Sequence, residues 1–244
     1  MNALAVPTRQ AEAYRYSDID ALAGVWPVVR ETLVVAAGET ASRAIVLTGA
    51  EPTARHLVIT VAAGATCDLR ILNAGSAFGR IAVEARLGAG ANFTLGAAQI
   101  GGSAQTLEIV TEVAHDAPDA ISRQVIRSVL ANHATGTYLG KVAVARGANG
   151  TDAGQSVRAM LLDRTATANA KPELEIYADD VKCAHGCAVG ELDAAALFYL
   201  ASRGLPPPTA RKLMLHAFIA EAFVGAPDEE RLLNEAMARL ESVL

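Results

Sequence analysis

Cysteine is scarce, with only Cys67, Cys183 and Cys187 in 244 residues. So sparse and odd a count does not build a disulfide framework, and it fits a reducing compartment. Three cysteines also fall short of a four-thiolate cluster site within one chain. Aromatic residues make up 5% of the sequence. A chain of this length removes roughly 70% of its unfolded surface from water on folding. Its core must then be built from small and β-branched side chains in tight layers, which favours stacked repeats over a globule centred on aromatic clusters. Basic runs are missing and the net charge is −5, so there is no electrostatic footprint for nucleic acid. No apolar run approaches the ~18 residues of a membrane span, and Met1–Gln10 lacks the apolar segment of a secretory leader. The expectation is a cytoplasmic protein with neither nucleic acid nor membrane as partner.

Nucleotide-binding and hydrolase motifs are lacking too. Lys141 follows Gly140, but Val142 stands where a P-loop needs Ser or Thr, so this chain is not expected to bind and hydrolyse ATP by that route. There is no G-x-G-x-x-G, H-E-x-x-H or G-x-S-x-G.

What is present is a repeated texture. From about Thr32 to Val181 short apolar–polar alternations follow one another. Ile81, Val83, Ala85 and Leu87 alternate with Ala82, Glu84 and Arg86. Leu107, Ile109, Thr111 and Val113 alternate with Glu108, Val110 and Glu112. Period two means strands with one buried face. The turns recur as well: Ala37-Gly38-Glu39-Thr40, Ala63-Gly64-Ala65-Thr66 and Ala89-Gly90-Ala91-Asn92 share one pattern at 26-residue spacing. Arg146-Gly147-Ala148-Asn149 repeats it close to two periods later, with His115-Asp116-Ala117-Pro118 near the middle of that gap. A fixed period of this size is the mark of a solenoid, although a β-sandwich with recurrent glycine turns would share some of these features. The expected fold is mainly β: a right-handed parallel β-helix over residues 31–190, with an N-terminal arm at 1–30 and a helical domain at 191–244.

Within the arm, Pro7–Leu22 reads as a surface segment or short helix. After Gly190 the period changes to helical. Leu192–Ser202 predicts a helix ended by Gly204, and Leu205-Pro206-Pro207-Pro208 reads as a stiff connector. Thr209 is the expected N-cap of a second helix, with Leu213, Met214, Ala217, Phe218 and the Phe223/Val224 pair on its apolar stripe, running to Gly225. Asp228 should open a last helix that buries Leu232, Leu233, Ala236, Met237 and Leu240.

The densest chemistry lies in Asp179-Asp180-Val181-Lys182-Cys183-Ala184-His185-Gly186-Cys187. Cys183, His185 and Cys187 are spaced two apart, so on an extended strand all three project from one face. Thiolate and imidazole suit zinc or iron–sulfur species, and Lys182 is close enough in sequence to lower a thiol pKa. Three ligands leave one position open or require a ligand from another chain. Alternatively, Gly186 breaks the strand, the cysteines are small apolar fillers and His185 is a turn residue. Asp179 and Asp180 make a poor acid/base pair, because neighbours on a strand face opposite ways.

The same stretch resembles a known family. Lys171-Pro172-Glu173-Leu174-Glu175-Ile176-Tyr177-Ala178-Asp179-Asp180-Val181-Lys182-Cys183, followed by His185-Gly186, is similar to the SufB/SufD family of SUF iron–sulfur cluster assembly scaffold proteins, in its SufD branch. Val189-Gly190, Leu192-Asp193 and Leu197–Gly204 continue the likeness, and Pro7-Thr8-Arg9 with Glu12–Asp18 resembles the segment that precedes the solenoid. The resemblance implies a β-helix with C-terminal helices and a non-catalytic scaffold subunit. It implies pairing with a SufB-like subunit through the β-helix and docking of a SufC-like ATPase on the C-terminal helices, about Leu192–Leu240. It places His185 and Cys183 near the nascent iron–sulfur cluster or iron at the interface between the two scaffold chains. No cofactor is expected to be tightly bound to the isolated chain; a transient cluster or iron belongs to the complex, and a flavin there is left open. Cys187 stands where the family usually has Ala, and is either a third soft ligand or a space-filler. Family members usually carry a longer N-terminal helical region, so 1–30 reads as a truncated arm. Exposed strand edges leave homodimer formation open for the chain on its own. Two other functions stay in view: a β-helix carbohydrate-active enzyme using Asp179, Asp180 and His185, and a zinc-binding structural protein built on Cys183, His185 and Cys187.

Overall fold

A computed structural model of the protein describes residues 5–75 and 77–244. The first four residues of the expected arm, and of the stretch read for a leader, lie outside that description. A 3-10 turn at Glu12–Tyr14 and a short helix α1 at Ile19–Ala23 come first. The strands then run in order as β1 (Arg30–Val35), β2 (Thr40–Leu47), β3 (Thr53–Val61), β4 (Thr66–Asn73), β5 (Phe78–Leu87) and β6 (Asn92–Gly101). They continue as β7 (Thr106–His115), β8 (Ile121–Leu130), β9 (Thr135–Val144), β10 (Asp152–Leu161), β11 (Thr167–Ile176) and β12 (Lys182–Gly190). Helices α2 (Ala194–Ser202), α3 (Pro207–Ala220) and α4 (Glu229–Glu241) close the chain.

Odd-numbered strands form one six-stranded parallel sheet and even-numbered strands form the other. Each turn of the chain lays one strand in each sheet, so the fold is a β-solenoid of six stacked turns. The 26-residue spacing of the turns is the strand register itself: Arg30 lies beside His56, and Thr40 beside Thr66. At the corners Gly38, Gly64, Gly90 and Gly150 stand in one column and all have positive φ, a conformation open to glycine at no steric cost; Gly147, the glycine that the sequence pattern picked out, also has positive φ but lies outside that column. The missing member of that column is Asp119, which takes φ 61°. The corners stack through backbone bonds, with the Gly38 N–H donating to Ala63 O, Gly64 to Ala89 O, Gly90 to Pro118 O and Asp119 to Asn149 O.

Between the sheets the first turns enclose an apolar core. Leu57, Ile59 and Val61 of β3 sit beside Val83, Ala85 and Leu87 of β5, facing Leu69, Ile71, Phe93 and Leu95 of the other sheet. Each buried Val, Leu, Ile or Phe contributes about 1.5–3 kcal/mol of transfer free energy. Cys67 is one of these fillers, wholly buried, and burial pushes its thiol up to about 11. Polar residues enter this stack where a corner must satisfy backbone carbonyls. Asn73 donates to Gly79 O and Glu108 O, and Gln99, its register neighbour, donates to Leu107 O and Thr137 O.

The N-terminal arm crosses the outer face of the odd-numbered sheet and is fastened there. The guanidinium of Arg80 donates to the Glu108 carboxylate, to Ser17 Oγ at 2.8 Å and to Ala13 O at 2.9 Å, and it stacks on the Tyr14 ring. Ser17 Oγ also donates to Glu108, as does the backbone N–H of Asp18.

Helices α3 and α4 cover the outer face of the even-numbered sheet. Leu215, Ile219 and Phe223 join Leu232, Ala236 and Leu240 over Leu72, Ala98, Ile100 and Val129. Their approach depends on Gly96, where an added Cβ would lie 1.8 Å from Ala222 O. The Arg70 guanidinium fills the same spot and donates to that oxygen at 2.9 Å. Arg127 binds Glu221 just past the end of α3.

Several helical details differ from the sequence reading. Pro207 and Pro208 are not a connector but the first turn of α3. Proline is preorganised for that position, where its missing N–H has no intrahelical partner anyway. Thr209 therefore lies inside the helix rather than at its N-cap. The buried face of α3 is Ala210, Leu215 and Ile219, while Leu213 and Ala217 of the expected stripe point to solvent. Asp228 precedes α4 but caps no N–H, and it pairs with Arg231 instead. By contrast α2 is capped by Asp193, whose Oδ1 accepts from Ala195 N and Ala196 N. It ends at Gly204, φ 89°, where the Leu205 N–H reaches Leu200 O and the Gly204 N–H reaches Ala201 O. The sequence placed the helix end at Gly204, and the structure closes it there with these two bonds. Among the described residues no helix is long and apolar enough to cross a membrane.

Candidate functional site

Strand β12 lies at the edge of its sheet, paired on one side only, with β10. It is continuous from Lys182 to Gly190, so Gly186 does not interrupt it. Register then settles the direction of its side chains. Cys183, His185, Cys187 and Val189 lie beside Ala153, Gln155, Val157 and Ala159, all buried positions of β10. The two cysteines and the histidine therefore share the face that continues the solenoid interior.

They are nevertheless accessible, because no further turn stacks on this one. Cys183 is half-buried, and His185 and Cys187 are exposed. Across from them β11, the edge of the other sheet, carries Leu174 and Ile176 beside the buried Val142 and Val144 of β9. Leu174, Cys183 and Val181 pack together at the bottom of this end. The terminal turn thus presents an apolar floor, one imidazole, two thiols and two unpaired strand edges.

Both thiols are poor nucleophiles as they stand. Burial pushes the Cys183 pKa up, opposed by a backbone hydrogen bond at Ala153 and reinforced by the Asp152 charge. Burial alone pushes Cys187 up. Lys182, expected to lower a thiol pKa, is the outward neighbour on the alternating strand and points away from both thiols. Asp179 and Asp180 lie in the corner between β11 and β12, where the Asp180 carbonyl accepts from the Gly150 N–H at 2.7 Å. They are part of a turn and do not face the thiols across a shared pocket. Among the described residues no three His, Cys, Asp or Glu side chains converge closely enough to hold a metal ion. A closed zinc site on Cys183, His185 and Cys187 accordingly has no geometry behind it within one chain.

Beneath His185 is a feature that sequence reading missed. Gln155, 4% exposed, is its register neighbour. Gln155 Nε2 donates to Tyr138 Oη at 3.3 Å, Tyr138 Oη donates to Gln124 Oε1, and Thr111 Oγ1 lies 3.0 Å from the Tyr138 oxygen. These four polar side chains are all buried inside the solenoid. The signal for them was faint, a glutamine at an inward position of two successive even-numbered strands.

Residues 32–218 match the family model described as SUF system FeS cluster assembly, SufBD core domain. Among individual proteins, the chain is 41% identical over 128 residues to Protein ABCI7, chloroplastic, of Arabidopsis thaliana, covering 52% of this chain and 27% of that one. It is 37% identical over 119 residues to the iron-sulfur cluster assembly protein SufD of Escherichia coli, covering 49% and 28% respectively. With the SufD protein of Bacillus subtilis the figures are 30% identity over 130 residues, 53% of this chain and 30% of the relative. The matched stretch spans less than a third of each of these relatives.

Proposed function

This chain belongs to the SufBD core-domain family of the SUF system, and from that premise we propose that it is a non-catalytic scaffold subunit of an iron–sulfur cluster assembly complex. The open end of the solenoid is the surface that meets a SufB-like chain. ATP hydrolysis resides on a SufC-like partner docked against α2–α4, where Phe198, Tyr199 and Leu213 stand exposed. The cluster is cargo, built at the junction of the two scaffold chains, and this chain contributes His185 and Cys183 to it, with Cys187 on the same face.

The observation that carries this reading is the placement of β12. One imidazole and two soft sulfur atoms stand on one face of an unpaired edge strand, too few for a closed site and accessible to a second chain. Imidazole can replace thiolate on iron, as in Rieske-type centres. The raised thiol pKa values fit a site that is silent until iron arrives, because a coordinating metal deprotonates the thiol as it binds.

The test is purification of the tagged chain from its native cytosol, followed by cluster reconstitution. A SufB-like chain and a P-loop ATPase should co-purify, and His185→Ala should lower the cluster content of the assembled complex several-fold while leaving the circular dichroism of the chain unchanged. An unchanged cluster yield would remove His185 from the site. Stoichiometric zinc in the isolated chain would favour a structural metal protein instead.

A further inference from the structure

Gln155 stands between the exposed imidazole and the buried polar chain, and it is only half satisfied. Its Nε2 is engaged by Tyr138, whereas its Oε1 is buried and makes no hydrogen bond among the described residues. An orphaned buried acceptor is costly, so such groups usually have a purpose. Turning the amide over would set its oxygen against the Tyr138 oxygen, whose proton points to Gln124. Thr111 and Tyr138 both donate towards Gln124 Oε1. With that proton directed to Gln124, the Tyr138 oxygen is an acceptor, and the Gln155 amide nitrogen at 3.3 Å and Thr111 Oγ1 at 3.0 Å both stand within reach of it. In this arrangement Gln155 turns its nitrogen to Tyr138 and leaves its oxygen as the free end.

The residue one strand spacing away on the same face, ~4.8 Å along the sheet, is His185. A neutral imidazole carries one N–H donor and one lone-pair nitrogen, which is the complement an orphaned amide oxygen requires. We propose that Gln155 is the positioning residue for His185: its Oε1 accepts the imidazole N–H, selects one tautomer, and leaves the other ring nitrogen as a lone-pair donor directed out of the open end. Ligating histidines are commonly held in this way by an acceptor on the far nitrogen. Thr111, Gln124 and Tyr138 act one step further back, as the anchor that keeps the Gln155 amide oriented.

This inference rests on the reading of His185 as a ligand, but its test does not use cluster assembly. The tautomer of His185 is read in the full, metal-free chain by long-range proton–nitrogen correlation at about pH 8, above the ordinary imidazole range. The resonances are assigned by their loss in His185→Asn. In the wild-type chain one tautomer should exceed the other about 5–10-fold more than in a short peptide of the β12 sequence, the bias that one hydrogen bond supplies. Gln155→Met, similar in length but without the acceptor, should return the ratio to that of the peptide. Gln155→Glu, which keeps an acceptor oxygen, should preserve the bias. A peptide-like ratio in the wild-type chain, or an unchanged bias in Gln155→Met, would overturn the proposal. Should Gln155→Met fail to fold, wild-type chain, Gln155→Glu and peptide still decide it, since bias in both chains supports the positioning role and bias in neither refutes it. A biased tautomer together with normal cluster yield in His185→Ala would mean that the proposed function is wrong while the hydrogen bond is real.

Discussion

Replacing Arg80 by Met should destabilise the protein by several kcal/mol through the charge it leaves behind. Arg80 is 4% exposed and Glu108 is fully buried. With the guanidinium gone, the Glu108 carboxylate keeps only the Ser17 hydroxyl and the Asp18 N–H. Removing one partner of a buried ion pair costs about 3–5 kcal/mol, because the remaining charge is desolvated and uncompensated. For a chain of this size a loss of 1 kcal/mol lowers Tm by about 2–4 °C, so the expected drop is roughly 6–20 °C. The partner variant Glu108→Gln strands a buried cation and should cost a similar amount. The double variant is the discriminating measurement: removing both charges should cost clearly less than the sum of the single losses, since neither charge is then unpaired. Urea unfolding of the four proteins gives the cycle. Limited proteolysis adds a local readout, because Arg80 also holds Ala13, Tyr14 and Ser17, and cleavage within residues 5–23 should accelerate in Arg80→Met. Additive losses, or an Arg80→Met cost below about 1 kcal/mol, would refute the view that this pair fastens the arm to the sheet.

Three further outcomes follow from the geometry. His115 is wholly buried; burial pushes its imidazole down from the ordinary 6.5 to about 4, against opposing influences from Ala120 and Asp116. Above pH 6.5 the ring is neutral whether folded or unfolded, but below it only the unfolded chain takes the proton. This residue should therefore withdraw about 3 kcal/mol of stability between pH 6.5 and 4, and His115→Leu should flatten the denaturation-versus-pH curve over that window; parallel curves would contradict the assignment. Gly96→Ala should cost about 1–3 kcal/mol or more, because its Cβ meets the backbone oxygen of Ala222, whereas Gly49→Ala, with open space around it, should stay within about 0.5 kcal/mol; equal losses in thermal melts would count against the close approach. Finally, a thiol reagent should label Cys187 and Cys183 in the native chain and Cys67 only on unfolding, and mass spectrometry that finds Cys67 modified under native conditions would contradict its place in the core.

The solenoid was legible because its constraints are local. A corner that needs positive φ selects Gly38, Gly64 and Gly90 at the spacing of the turn, and alternation follows from one buried face per strand. Where another residue fills the same role the signal fades: Asp119 adopts the corner conformation but reads in sequence as part of a polar turn. Proline misled in a similar way at Pro207 and Pro208, since the residue that stiffens a linker also begins a helix. The spacing of Cys183, His185 and Cys187 was readable, but their accessibility was not. It depends on β12 being the last strand of its sheet, a property of the stack as a whole. Arg80 and Glu108 were invisible for the opposite reason. Both stand on the outer, ordinarily wet face of their strands, and only the arm folding over them makes them a buried pair.

The two ends of the solenoid are finished differently, and the difference bears on where a partner belongs. A stack of parallel strands leaves an interior open at each end, and repeat proteins need a polar cap there to remain soluble. At the first turn some inward positions carry charge: Glu31, beside Leu57 in register, takes Arg55 in a bidentate pair at 2.6–2.8 Å and Arg43 at 2.8 Å. Ions at an end can keep their water, so this arrangement tolerates exposure. The other inward residues of that turn, Leu33, Val35, Ala41, Ile45 and Leu47, are apolar, as are most of their counterparts at the last turn, Leu174, Ile176, Cys183, Cys187 and Val189, groups that gain from leaving water, but there Pro172 and His185 stand where the first turn has Glu31 and Arg43. Ile176 and Val189 remain 40% and 48% exposed, next to two strand edges with unpaired backbone groups. Such an edge is a template for another chain. The last turn therefore lacks the polar finish of the first, and covering it would bury apolar surface, satisfy backbone donors and enclose the imidazole and thiols in one step. A partner seated at that end would complete the solenoid and, with it, the cluster site proposed above.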